Sequence, residues 1–481
     1  MVALLREPAR PAVIRDHPLA PWFAVGAVCL GAFMGQLDAS IVTVAFPALQ
    51  RQFGAGLASV QWVSLAYLLV LTALLVPAGR WSDRIGRKLM YLYGFVIFAA
   101  SSAACGLAPS LAALVVLRVV QAAGAALLQA NSVALVVTSV PAQARRAALG
   151  VQAAAQAVGL AAGPVIGGLL VAAAGWRWVF FLNVPVGLVA VVAGSCLLPR
   201  TRGPAGQLLS GRSPAGRPGT DPGGTVLLAA TATAGMLAIS ALSGLGAPAW
   251  TAAACAAVAA LTGAALLRHE RRVAAPLLDL RTMAASGTTS ALLAALCAYL
   301  VLFGPLVLFP QVVAARGGSA ESAGLLLSAL PCGFGLAAAV ADRLLPEGWP
   351  NRRRCLLGGA VTAGCAAALA VPAPDAVSVV LLGLLGIGLG IYTPANNAEI
   401  MAAVPAKDAA TAGGMVNMTR GIGTALGVAV VALGLHAGAL LRSADSGRTL
   451  AMAAIAAAAL LTVALSAAGP RAGQGSAGGA Q

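Results

Sequence analysis

Asp38 stands in CLGAFMGQLDASIVTVAFP (residues 29–47) as the only acid between Trp22 and Phe46. A carboxylate inside an apolar helix is costly, and it is kept for ion or proton handling or for a fixed ion pair. Arg118, in LRVVQAAGAA (residues 117–126), is a guanidinium in the same kind of setting. Asp38 lies eight residues from the end of its apolar run and Arg118 seven from the start of its own. At about 1.5 Å per helical residue, both sit roughly 10–12 Å below one surface. Burial and a neighbouring guanidinium act on a carboxylate's proton affinity in opposite senses. A site whose balance differs between two conformations can therefore take a proton on one side and release it on the other. On that reading Asp38 carries the proton and Arg118 tunes or relays it. The alternatives are a static ion pair joining two helices, or direct recognition of a cationic substrate. Glu399, about one turn from the end of its apolar run, is a second candidate for proton release or substrate contact. Arg420 is a second buried cation, serving either substrate or coupling, or else satisfied by carbonyl groups.

Composition supplies the solvent. Hydrophobic residues make up 60% of the 481 and charged residues 9%, with a mean hydropathy of +0.90. So little charge excludes a water-soluble protein of this size and implies an integral membrane protein. The net charge of +16 does not indicate nucleic acid, because the arginines lie between apolar runs and only 5% of residues are aromatic. The eight cysteines show no CxxC spacing and no histidine partners, and the three histidines are scattered, so no metal site is expected. No cluster of His, Cys and acid at one depth suggests an enzyme, and no phosphate-binding loop suggests ATP as the energy source. The basic amino terminus leads at Trp22 into a span too long for the apolar region of a signal peptide.

Runs of about twenty apolar residues, the length needed to cross a bilayer, number fourteen. They cover 22–46, 58–78, 89–108, 111–138, 147–173, 177–198, 224–243, 249–267, 287–309, 322–342, 355–373, 376–402, 411–437 and 449–468. With both termini cytoplasmic, the inner segments collect 23 of the 30 Lys and Arg and the outer loops five, a strong positive-inside bias. The predicted organisation is a cytoplasmic tail (1–21), a six-helix bundle (22–198), a linker (199–223) and two inserted helices (224–267). A second linker (268–286), a second six-helix bundle (287–468) and a cytoplasmic tail (469–481) follow. The Pro/Gly-rich first linker reads as a flexible bridge.

An internal repeat supports two halves. VPAQARRAALGVQAAAQAVGLAAGPVIG, from Val140, aligns without gaps to VPAKDAATAGGMVNMTRGIGTALGVAV, from Val404. The offset superimposes Pro141 on Pro405, Gly150 on Gly414, Gly159 on Gly423 and Gly163 on Gly427. Two parallel halves around a midplane cavity are a transporter arrangement. At the same offset Arg118 meets Leu382 and Arg420 meets Gln156, so each cation belongs to one half only.

Five segments resemble the major facilitator superfamily, and specifically its fourteen-span drug:proton antiporters, over nearly the whole chain. GRWSDRIGRK (residues 79–88) resembles the superfamily's signature loop through Gly79, Asp83, Arg84, Gly86, Arg87 and Lys88. Its glycines permit a tight turn, and Asp83 can cap a helix or pair with an arginine as a latch released by rocking. GLAAGPVIGG (residues 159–168) resembles the antiporter motif through Gly159, Gly163, Pro164, Gly167 and Gly168. Small residues there allow close helix approach, and the link to export is what the resemblance implies. LDASIVTVAFP and LRVVQAAGAA resemble the family's first-span and membrane-arginine motifs. GWRWVFFLNVPVG (residues 175–187) marks the family and is assigned no chemistry.

The resemblance implies an all-α major facilitator fold in the plasma membrane, two six-helix bundles plus two extra helices. It implies no enzyme and no cofactor beyond the proton as coupling ion. The partners expected are a small-molecule drug or antibiotic, protons and the lipid bilayer; the chain is expected to be monomeric and to bind no nucleic acid. An importer, a metabolite carrier or a non-transporting sensor are the alternatives. Polar and aromatic residues within spans are candidates for the pocket. In the first half these are Gln36, Gln61, Tyr67, Gln121, Asn131, Gln152 and Gln156. In the second they are Tyr299, Phe303, Asn396, Asn397, Asn417 and Arg420. The tenth span has no acid before Asp342, which favours a neutral, monocationic or zwitterionic cargo over a divalent cation.

Overall fold

The computed structural model describes residues 7, 9–201, 221–242, 248–273, 288–346, 348–403, 409–441 and 444–468. Among them there is no β-strand, and the chain runs through long helices joined by short turns. The first six are α1 (Ala20–Val44), α2 (Trp62–Ile85), α3 (Arg87–Gly106), α4 (Leu111–Ser139), α5 (Arg145–Ala174) and α6 (Asn183–Leu197). Two inserted helices follow, α7 (Pro222–Leu242) and α8 (Ala249–Glu270). The last six are α9 (Thr288–Ala315), α10 (Ala320–Leu344), α11 (Asn351–Leu369), α12 (Asp375–Ala402), α13 (Ala409–Leu440) and α14 (Ala444–Ala468). Short helices at Phe46–Phe53, Leu57–Val60 and Arg177–Phe181 lie between spans.

Each of the fourteen expected runs thus contains a helix. Among the described residues, twelve helices are long and apolar enough to cross a membrane by themselves. Of the other two, α11 opens with Arg352, Arg353 and Arg354 in its first turn, and the apolar stretch of α7 is described over Val226–Leu242. Helix length and composition therefore carry twelve crossings, and the count of fourteen stays an expectation.

Interior prolines at 77, 164, 305, 310, 331 and 394 are tolerated because neighbouring helices accommodate the freed backbone groups. In the first bundle α1 packs on α5, α4 on α2 and α3, and α6 on α3. In the second, α9 packs on α13 and α14, and α12 on α10 and α11. The bundles meet along α5 with α10 and α2 with α13, while α7, paired with α8, packs on α2 and α13.

One face of the molecule, here called proximal, carries the start of α1 and the ends of α6 and α14. Arg10 ties the first two by donating from Nε to the Leu197 carbonyl (2.8 Å) and from Nη2 to that of Ala20 (3.3 Å). The opposite, distal half is closed. Every residue of α9 from Leu300 to Pro310 is buried, whereas Thr289 and Leu293 nearer the proximal face are exposed and Leu296 and Tyr299 half-buried on the same side. A lipid-facing stripe would run the helix's full length. This one stops midway, from which we infer a cleft open at the proximal face and closed beyond Tyr299.

Candidate functional site

Asp38 sits about three-quarters of the way along α1, with no solvent exposure, facing α4. Arg118, 1% exposed, donates from Nη1 to Asp38 Oδ2 at 2.7 Å. The same Nη1 donates to Gln121 Oε1 at 2.7 Å, and Arg118 Nε donates to the Val63 carbonyl of α2 at 3.0 Å. The guanidinium stacks over the Tyr67 ring, 4.1 Å from its centroid, with Phe180 5.8 Å away on another side. Gln121 Nε2 donates to Asp38 Oδ1 at 3.2 Å. Arg118 and Gln121 are one helical turn apart on α4, so one helix face delivers both to the carboxylate. The sequence placed Asp38 and Arg118 at one depth; the structure puts them in direct contact and adds Tyr67 and Gln121.

Two members were missed. Asn183 Nδ2 donates to Asp38 Oδ1 at 3.0 Å and to Ser102 Oγ at 3.0 Å. Ser102 in turn donates to the Phe180 carbonyl at 2.8 Å. Asn183 belongs to GWRWVFFLNVPVG, which sequence reading treated as a marker without chemistry. The signal available was an amide opening an otherwise apolar helix. Its partner is 145 residues away, a pairing no linear pattern displays. The result is a buried network over five helices in which both oxygens of Asp38 accept charge-assisted hydrogen bonds.

The antiporter-motif glycines press on both neighbours of α5. A side-chain carbon at Gly159 would meet the Phe33 carbonyl, one at Gly163 the Ser40 hydroxyl, and one at Gly167 the Ile41 side chain. On the other bundle, Gly168 faces Ala320 and Gly324, and Gly324 faces the Pro164 carbonyl. One motif therefore joins the Asp38 helix to α10.

In the signature loop Gly86 adopts φ +127°, a conformation that favours glycine, between α2 and α3. Lys88 is buried, donating from Nζ to the carbonyls of Ser195 (2.8 Å) and Leu198 (2.6 Å). Its backbone N–H donates to Thr201 Oγ1 at 3.1 Å, and Thr201 donates its hydroxyl and backbone N–H to the Glu7 carboxylate, each at 2.6 Å. Lys88 thus ties α3 to the end of α6 and to the amino-terminal tail. Arg87 is half-buried, and Gly79 approaches Ala130 of α4. The side chains of Asp83 and Arg84 lie outside the described residues.

Other candidates are dispersed. Gln61 donates to Ser240 of α7 (3.0 Å), Asn131 to Ser82 (2.7 Å), and Asn396 to the Ala291 carbonyl (3.0 Å), each bond joining two helices. Gln36, Gln156, Asn397 and Asn417 are half-buried, whereas Gln152 and Phe303 are buried. Glu399 lies in the second bundle within electrostatic reach of Arg352 and is not brought to Asp38. Arg420 stacks on Tyr299, 5.0 Å from the ring centroid.

A family model described as Major Facilitator Superfamily matches residues 28–428. The chain is 32% identical over 420 residues to the methylenomycin A resistance protein of Streptomyces coelicolor, covering 86% of this chain and 85% of that one. It is 44% identical over 182 residues to the tetracenomycin C resistance and export protein of Streptomyces glaucescens. That alignment covers 38% of this chain and only 34% of the relative. A solved structure of a bacterial homologue of the human lysosomal transporter Spinster, inward-facing and unoccupied, superimposes with a TM-score of 0.63. It is 16% identical, over 94% of this chain and 96% of that one, a likeness of fold alone.

Proposed function

Because the chain belongs to the major facilitator superfamily, whose members are transporters rather than enzymes, we propose that it exports a small organic compound in exchange for protons. The cargo class is an antibiotic or other drug, and the exporter confers resistance to it by alternating access. The printed functions of the methylenomycin A and tetracenomycin C relatives support the cargo class. The observation that carries the coupling is Asp38: one carboxylate, fully buried in the first bundle, held by Arg118, Gln121 and Asn183. Rocking of the bundles changes the contacts of α5 with α10 and of α2 with α13, and hence the access to that carboxylate. The arginine bias supports cytoplasmic termini. The cleft then faces inward in this conformation.

Everted membrane vesicles carrying an inside-acid gradient test the proposal with a panel of labelled antibiotics. Gradient-driven uptake by the wild type, lost in Asp38→Asn while the protein still inserts and binds cargo, is the expected result. Unchanged uptake in the variant makes the network a static tie between α1 and α4, a reading that its full set of hydrogen bonds also favours.

A further inference from the structure

The second bundle holds a guanidinium that no carboxylate among the described residues balances. Arg420 lies in the proximal half of α13, eleven residues from the helix start at Ala409. Among the described residues no carboxylate pairs with it, its Nε is buried without an acceptor, and its contact is the face of Tyr299. This contrasts with Arg118, whose charge is balanced by Asp38 at 2.7 Å.

The neighbours of Arg420 fix its direction. Gly423 and Gly427 of α13 press on Leu296 and Leu300 of α9, whereas Gly421 presses on Thr72 of α2. At about 100° per residue, Arg420 falls between those two contacts, in the sector where the bundles face each other. Tyr299 closes the exposed strip of α9 that lines the proximal cleft. The cation therefore stands at the blind end of that cleft, stacked on an aromatic ring.

A cation within a membrane span is unfavourable unless it is paired or reached by water, and Arg420 is half-buried. The ring satisfies one face of the guanidinium. The N–H edges lie in the guanidinium plane, where a planar oxyanion accepts two hydrogen bonds at once. We propose that Arg420 and Tyr299 form a receptor for an anionic group of the cargo, a carboxylate or phenolate carried on a cyclic body that packs beside the ring. This deepens the export reading and rests on it. It narrows the cargo to a monoanion or a zwitterion, which departs from the neutral or monocationic alternatives that the sequence left open.

Arginine footprinting of the purified full chain in lipid nanodiscs tests the assignment. Phenylglyoxal modifies accessible guanidinium groups, and mass spectrometry reads each peptide. Arg420 is expected to react while the ion-paired Arg118 does not. Benzoate should slow modification of Arg420 by about tenfold, as expected for a charge-assisted bidentate pair, whereas its neutral isostere benzamide and the cation benzylammonium should not. Tyr299→Leu should weaken benzoate protection several-fold and leave Arg420 reactive. Protection by benzamide equal to that by benzoate overturns the proposal, as does an unreactive Arg420. Equal protection by chloride overturns the assignment to cargo in favour of an inorganic anion site. No proton gradient enters this experiment, so its outcome is independent of the vesicle assay and the two readings can fail separately.

Discussion

At the scale of single residues, the arrangement around Asp38 makes Asn183 a positioning residue. Its amide donates to both Asp38 and Ser102, so it fixes one carboxylate oxygen against α3 and α6 while Arg118 holds the other. A hydrogen bond to a charged group contributes about 1.5–3 kcal/mol, which corresponds to roughly ten- to a hundredfold in an equilibrium. Asn183→Ala is expected to lower gradient-driven uptake by about tenfold, at the conservative end of that range. Combined with Asp38→Asn it should cause no further loss, because both changes act through one carboxylate. A purely structural Asn183 would instead lower protein yield equally in both backgrounds. What the sequence made legible here was depth: a lone acid and a lone arginine at matching distances from one surface. It did not reveal Asn183, because the helix carrying it contributes one polar group at its first residue, a position that equally suits a helix start.

At the scale of elements, the antiporter motif was legible as small residues at helical spacing, but the surfaces it serves were not. Gly159, Gly163 and Gly167 follow one face of α5 onto α1, whereas Gly168 and Pro164 reach α10 of the other bundle. Only the assembled bundles show that one ten-residue stretch does both. A methyl at Gly163 would overlap the hydroxyl of Ser40, two residues beyond Asp38, and crowd the Ile41 backbone. Overpacking of this kind costs about 1–3 kcal/mol. Gly163→Ala should therefore lower the thermal midpoint of the purified protein by several degrees, and transport should fall with it. Gly150→Ala, on the same helix with open space around the added carbon, should leave both unchanged. Equal behaviour of the two variants would remove the close approach of α1 and α5 from the account. The span count shows the converse limit. Hydropathy counted α11 as a span, yet the three arginines opening it leave no window of the helix apolar enough to cross by itself.

At the scale of the whole molecule, the conformation follows from how burial changes along α9. Sequence shows a uniformly apolar helix, because a residue facing a cleft and one facing a sealed interface are both apolar. The structure separates them: Leu293 is exposed and Val307 is buried, fourteen residues further along the same helix. If the cleft is a state in a rocking cycle, access to Leu293 must depend on that cycle, whereas burial of Val307 must be relieved only in the opposite state. A background with the eight native cysteines replaced by alanine isolates the two positions. In everted vesicles without a gradient, a membrane-impermeant maleimide is expected to label Leu293→Cys and spare Val307→Cys. Adding an inside-acid gradient and a transported compound should reduce labelling of the first, since part of the population then closes the proximal cleft. Labelling of Leu293→Cys only in right-side-out vesicles would reverse the orientation inferred from the arginines. Labelling that ignores gradient and compound together would mean that the cleft does not cycle, leaving a binding protein in place of an exporter.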